Sequence, residues 1–360
     1  MFVAWRDLRF AKGRFALMGS VVVLITLLVG LLSGLTAGLA RENTSAVTGL
    51  SADHLAFAAP PDGRSVSFTD SAVEERAWRS WAERPGVAAA EPLGIRTLNA
   101  EGRGGHTSAV SAFGVEPDGG LTPPGTRVAT GRVVLSEQAA EDLAAAPGDR
   151  VRLGSTTVTV AAVAGDASYS HTSVVWTSLD DWQHLAGDDG RGRHATVIAL
   201  TTDGADLAAG DKAAGTSTLS RDDSLTAIGS YQAENGSLQL MRGFLFAISA
   251  LVIGAFFTVW TIQRGGDVAV LKALGASTRY LLRDALGQAV VMLALGTGAG
   301  TALAAGIGAL ISGGAVPFVL DAATVLVPAA VMIALGALGA ALSIRRITAV
   351  DPLTALGSAR

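Results

Sequence analysis

Five histidines and no cysteine bound the metal and redox chemistry open to this 360-residue chain. His54, His106, His171, His184 and His194 all fall in one polar segment, and no two are three or four residues apart, the separation a helical metal site uses. They read as surface or structural histidines. The absence of cysteine removes thiolate sites and disulfides alike. The run Gly296-Thr297-Gly298-Ala299-Gly300 is not a phosphate loop: it sits in an apolar helix, follows no strand and lacks the Lys-Ser/Thr that a nucleotide site needs. No nucleophile, base and acid stand in a recognisable constellation, so no catalytic residue and no intrinsic cofactor or metal is assigned. Any energy-yielding chemistry has to come from another protein.

The elements that would position chemistry explain why so little is present. Four stretches, Phe15–Leu39, Phe244–Ile262, Ala285–Ile311 and Ala322–Ile344, contain no Asp, Glu, Lys, Arg or His. Each is long enough to cross ~30 Å of hydrocarbon as a helix. The first is too long for the ~7–15-residue apolar region of a secretory signal and reads as an uncleaved helix. Channels and secondary transporters keep ionisable groups at membrane depth, and these helices keep none.

Lys and Arg cluster beside alternate helix ends: Arg6, Arg9, Lys12 and Arg14; Arg264, Lys272, Arg279 and Arg283; Arg345, Arg346 and Arg360. The positive-inside rule then places both termini and the loop between the second and third helices in the cytoplasm, in a plasma-membrane protein. The expected order is a cytoplasmic amphipathic segment (1–14), a membrane helix (15–39), an extracytoplasmic α+β domain (40–241), a second membrane helix (242–262), a cytoplasmic coupling segment (263–284), a third helix (285–311), a short outer loop (312–321), a fourth helix (322–344) and a cytoplasmic tail (345–360). The outer segment, taken from Gly38 to Arg242, holds 16 of the 27 basic and 26 of the 31 acidic residues, a net charge of −10, which argues against nucleic-acid binding.

Within that segment, short runs rich in β-branched residues predict strands at 54–59, 66–68, 108–115, 132–135, 150–153, 156–163, 173–176 and 195–200, with helices at 71–83 and 136–145. Looser connections are expected at 117–125 and 187–192. In the first membrane helix Gly30, Gly34 and Gly38 recur every fourth residue, a stripe that permits close approach of another helix, either in the same subunit or at a dimer seam. Gly296, Gly300 and Ala304 do the same in the third. Two cytoplasmic pieces have contact surfaces: Phe2, Trp5 and Leu8 in an interfacial helix, and Val268, Leu271 and Leu274 in a short amphipathic helix suited to a groove on a soluble partner.

One long helix, a large outer domain and three further helices, with "DVAVLKALGAS" after the second, resemble the permeases of the MacB/FtsX-like ABC superfamily over the whole chain. The family segment reads close to E-I-G-x-L-R-A-L-G-A. Asp267, Leu271, Lys272, Ala273, Leu274, Gly275 and Ala276 match it, with Asp for Glu and Lys for Arg. The ending "ITAVDPLTALGSAR" resembles the family's P-x-x-A-L-R, with Gly357 where Arg is usual. "GLTAGLARENTSAVTGLSADHLAF" and "YQAENGSLQLMRGF" are similar to the helix–domain junctions of haem-exporting (Hrt-type) permeases and their DevC-like relatives.

The resemblance implies a homodimer bound to a cytoplasmic ABC ATPase dimer, with ATP on that partner. Its closure pushes the segment Asp267, Val268, Leu271, Lys272, Leu274 and Gly275, and the first two membrane helices carry the movement outward. An amphipathic substrate such as haem would enter sideways from the outer leaflet, with Glu42 as the candidate ligand of the haem iron and Met241 as a weaker one. A carboxylate at Glu42 has a plainer role available, capping the outer domain or pairing with Arg41. The same architecture also serves an FtsX-like transmitter that activates an extracellular cell-wall hydrolase, or a lipoprotein or peptide exporter.

Overall fold

The first apolar stretch forms one helix, α1 (Lys12–Thr48), that continues well past its last apolar turn at Leu39. The computed structural model describes residues 12–185, 193–263, 266, 270–272, 274–311 and 316–348. Contacts divide them into a helical unit, made of the chain up to Gly38 and from Ser237 on, and an α+β unit, Leu39–Gly236. The expected amphipathic segment at Met1–Phe10, Asp267 and Val268 of the coupling segment, the loop at 187–192 and most of the tail lie outside the described residues.

The α+β unit is built, in chain order, from β1 (His54–Ala58), β2 (Val73–Glu74), α2 (Glu75–Ala82), β3 (Val87–Glu101), β4 (Thr107–Val115), β5 (Arg132–Leu135), α3 (Glu137–Asp142), β6 (Arg150–Leu153), β7 (Thr156–Val163), β8 (Ser168–Tyr169) and β9 (Thr172–Ser178). It continues with α4 (Leu179–Leu185), β10 (His194–Ala195), β11 (Val197–Thr202), α5 (Leu207–Ala214) and β12 (Thr216–Ser220). Ten strands form a mixed sheet in the order β12-β1-β11-β3-β4-β9-β5-β7-β6, with β8 on β9; β2 and β10 pair separately. The pairs β4–β9 and β5–β7 are parallel. Pairing of Ala100 and Glu101 with Leu153 and Arg152 brings β6 back to β3, so half of the sheet closes on itself.

The helix α1 persists beyond its apolar stretch because its last turns join the core. Ala46, Val47 and, just after the helix, Leu50 are buried with Phe57, Leu93, Phe113 and Trp176. Fully burying side chains of this size contributes about 1.5–3 kcal/mol each. A second core, around Trp78, Trp81 and Trp182, lies against the other face of the sheet. There Gly94 of β3 and Gly114 of β4 are direct cross-strand partners, and the indole of Trp182 covers both, occupying the space a Cβ would need at either.

Three expectations change. Residues 66–68 form no strand; Phe68 instead fills the core edge-on to Phe57, with ring centroids 4.9 Å apart. The helix expected over 71–83 is shorter, because Val73 and Glu74 pair with β10 before α2 begins. The longest strand, β3, contains Ala88, Ala89, Ala90, Pro92 and Gly94 and so lacks the β-branched signal; Pro92 is tolerated because β4 begins to pair only at Gly94.

Glu91 of the same strand accepts hydrogen bonds from the Gly120 amide, at 2.8 Å and 3.1 Å. Burial pushes its carboxyl above the ordinary value of 4.5, the Gly120 amide opposes that, and Glu116 adds to it. A raised carboxyl stabilises the fold below its unfolded value, and that contribution is lost as pH rises through the folded one. Glu91→Gln is therefore expected to raise the thermal midpoint of the purified protein at pH 7 and to leave it nearly unchanged at pH 4. A lower midpoint at pH 7 would contradict this.

In the helical unit α6 (Gly229–Gln263, from Ser237 on), α7 (Thr278–Ile311) and α8 (Ala322–Thr348) pack with α1. All four helices are long and apolar enough to cross a membrane. Met18, Val22, Val29, Phe257, Trp260 and Leu293 are among the side chains that form their shared core. Leu251, Leu295, Leu310 and Leu342 point outward and are more than two-thirds exposed, as lipid-facing residues would be. Asp321 caps α8, accepting from the Thr324 amide at 2.6 Å. Hydrogen bonds from the Thr324 backbone and side chain hold its carboxyl below the usual range.

The glycine stripe of α1, for which subunit packing and a dimer seam were both open, is filled by this chain's own residues. A Cβ at Gly30 would lie 2.8 Å from Ala304, and Gly34 and Gly38 are covered by Phe318 and Pro317. The stripe of α7 answers it, with Gly296 against Val22 and Gly300 against Thr26.

Candidate functional site

Two places combine exposed, chemically specific side chains with fixed backbone. The first is the turn between α6 and α7. Leu274 donates its amide to the Val270 carbonyl (3.0 Å), Gly275 to Lys272 (3.0 Å) and Ala276 to Leu271 (2.9 Å). With Gly275 at φ +96, this is the Schellman arrangement that ends a helix on a left-handed glycine. It leaves Leu274 79% exposed, with Val270 and Leu271 also exposed, in a stretch too short to hide them. Of the expected coupling residues, Leu271, Lys272, Leu274 and Gly275 are thus gathered on one turn, and Asp267 and Val268 lie outside the described residues.

The second lies within the α+β unit, where the end of α1, the start of α6 and the β8–β9 turn meet. Two Glu-Asn pairs, Glu42-Asn43 and Glu234-Asn235, mark the two helices. His171 stands between them: its Nδ1 is 3.4 Å from Glu42 Oε2, and its Nε2 is 2.9 Å and 3.0 Å from the two Glu234 oxygens. Asn43, almost fully buried, donates from Nδ2 to Glu234 Oε2 (3.0 Å), stands 2.7 Å from His171 Nε2 and accepts from the Ser230 hydroxyl (2.5 Å). The backbone is stitched as well, Ser170 N donating to Asn43 O (3.0 Å) and His171 N to Glu42 O (3.3 Å). Ser168 N donates to the Ser45 hydroxyl at 2.8 Å.

The two carboxylates differ in how fully they are used. Glu234 accepts from an amide and lies close to a ring nitrogen on both oxygens. Glu42 has one long contact and is 45% exposed, so most of its lone pairs are available to a cation. Arg41 does not pair with Glu42, one of the two plainer roles open to that carboxylate; it reaches Asp166 at 2.6 Å. Both members of that pair are more than half exposed, and such surface pairs contribute roughly 0–1 kcal/mol.

Met241 is exposed on α6. His184 Nδ1 lies 2.6 Å from the Asp180 carbonyl and His54 Nδ1 3.3 Å from Thr202 Oγ1, both structural roles. Among the described residues no group of three or more His, Cys, Asp or Glu is arranged to hold a metal ion; in the trio at His171 the carboxylates sit on opposite ring nitrogens. Sequence reasoning found Glu42 and missed His171, which lies 129 residues from Glu42 and 63 from Glu234. The one signal pointing there was the repeated Glu-Asn at both junctions.

Residues 18–217 match the family described as the MacB-like periplasmic core domain, and residues 240–352 match the FtsX-like permease C-terminal family. Among curated proteins, the chain is 26% identical to one of Staphylococcus epidermidis whose name assigns it to hemin transport as the permease protein HrtB, over 99% of each chain. It is also 26% identical to an uncharacterized ABC transporter permease of Mycobacterium bovis, again over 99% of each. The periplasmic region of MacB from Actinobacillus actinomycetemcomitans aligns at a TM-score of 0.35 and 10% identity, covering 49% of this chain and 92% of that one. With a MacB-like domain carried extracytoplasmically between the first of four membrane helices and the rest, the chain belongs to the MacB/FtsX-like family of ABC transporter permeases.

Proposed function

We propose that this permease works in the plasma membrane, both termini cytoplasmic, as a homodimer driven by a separate cytoplasmic ATPase dimer, and that it exports haem or a closely similar amphipathic molecule. ATP binding and hydrolysis on the partner move the exposed turn at Leu274, and α1 and α6 carry that movement to the extracytoplasmic domain. The observation that carries the reading is the under-used, half-exposed carboxylate of Glu42 on α1, four residues past the glycine stripe. A carboxylate held this way fits ferric iron presented by a porphyrin, whose apolar body prefers a membrane surface. The hemin-transport name of the Staphylococcus epidermidis relative supports the same substrate class. The spans lack ionisable residues, which favours motion supplied from outside the bundle over a proton or ion relay within it.

Titration of the purified permease in detergent with haemin is expected to give a saturable Soret band, with affinity about tenfold or more weaker in Glu42→Ala, and deletion of the gene is expected to sensitise cells to haemin. A parent protein without that band, in cells whose haemin tolerance does not depend on the gene, would overturn the substrate assignment. Co-purification of a cell-wall hydrolase with the extracytoplasmic domain would favour signal transmission in its place.

A further inference from the structure

The two carboxylates that flank His171 are not equivalent, and the difference gives the histidine a task. On its Nε2 side the ring lies 2.9 Å from Glu234 and 2.7 Å from the buried Asn43, donating to the carboxylate or accepting from the amide but not both at once. On its Nδ1 side its hydrogen-bonding partner among the described residues is Glu42, at 3.4 Å. The turn that carries it has two consecutive non-glycine residues with left-handed backbone, Ser170 at φ 50 and His171 at φ 61. Such residues are strained and persist only where their surroundings over-determine them. The surroundings here are the amide contacts to Glu42 and Asn43 and the hydroxyl pair Ser170–Ser230 at 2.8 Å. The fold therefore holds an imidazole from behind, in a strained turn, so that its Nδ1 faces the Glu42 carboxylate.

We propose that His171 is a positioning residue for ligand capture: with its Nε2 edge against Glu234 and Asn43 and a proton on Nδ1, it donates to one oxygen of the Glu42 carboxylate while the other is presented to the iron of the porphyrin. This rests on the haem reading above. A hydrogen-bonding partner behind a metal ligand fixes its orientation, and losing it costs 10–100-fold in metal affinity as a rule. Glu234, whose oxygens are occupied, is assigned the anchoring role and not ligation.

The test is haemin titration of the full-length permease in detergent, following both affinity and the position of the Soret band. The proteins compared are the parent, Glu42→Ala, His171→Asn and His171→Gly. Asparagine and glycine both accept left-handed backbone, so the turn is kept while the imidazole is removed. The expected result is a roughly tenfold weaker affinity with a displaced band in both His171 variants, and His171→Gln, which restores a donor of similar reach, recovering part of the loss. Parental affinity and band position in His171→Asn and His171→Gly, alongside loss in Glu42→Ala, would overturn the inference and leave the haem reading standing. A band that survives in Glu42→Ala and vanishes in His171→Gly would also overturn it, because the imidazole itself would then be the ligand. A parent protein with no saturable band is the separate failure of the haem reading.

Discussion

Exchanging Gly114 for valine is expected to destabilise the α+β domain by about 3 kcal/mol, over ~100-fold in its folding equilibrium. Gly114 and Gly94 face each other across β4 and β3, and Trp182 uses the two missing side chains as its floor. The indole has no room to retreat. It is buried, with the Arg96 guanidinium 5.8 Å from its centroid and His194 edge-on at 5.7 Å. A branched side chain must displace the ring or part the strands. Thermal and denaturant unfolding of the purified protein measures the loss, and the double variant Gly114→Val with Trp182→Leu checks the cause. If the ring is the obstacle, the double variant regains part of the stability and the two changes are strongly non-additive. Full parental stability in Gly114→Val alone would show that the sheet yields there without cost.

On the proposed function, placing an aspartate at Leu274 is expected to reduce capture of a partner ATPase at least tenfold, and with it nucleotide-driven export, while haemin binding to the isolated permease stays at the parental level. The cause is local. Gly275 ends the helical turn in left-handed backbone, which leaves Leu274 largely uncovered by its own chain, and an apolar anchor of that kind dominates a helix-in-groove contact. Gly275→Ala is expected to give an intermediate defect, since a Cβ in that conformation costs ~1–2 kcal/mol. The measurement is co-purification of the ATPase with tagged permease, followed by nucleotide hydrolysis in the recovered complex. Undiminished capture by Leu274→Asp would move the contact elsewhere on the cytoplasmic side.

The membrane plan was legible because hydrocarbon enforces it. Uncharged stretches of this length suit few surroundings besides a bilayer. The matched segment around Leu271 to Gly275 was legible for a similar reason, the glycine being demanded by the helix stop it makes. The domain was less readable where tertiary packing overrides local preference. β3 is stabilised by neighbours on both sides and by Trp182, none of which leaves a mark on its Ala-, Pro- and Gly-containing sequence. Residues 66–68 look like a strand and are recruited to the core by one aromatic ring. Glu42 was singled out at its junction, yet not the histidine from a distant hairpin turn that stands beside it, because that meeting is made by the sheet. The glycine stripes announced a close approach without naming the partner.

That partner has a mechanical consequence. The Phe318 ring sits in the notches left by Gly34 of α1 and Gly308 of α7, and the Val319 amide donates to the Gly34 carbonyl at 3.1 Å. A peg seated in two sockets at once resists both twisting and sliding of one rod against the other. The stretch of α1 around Gly34 and the hairpin of α7 and α8 are therefore expected to move together as one lever, with any flexing of the helices displaced away from this end.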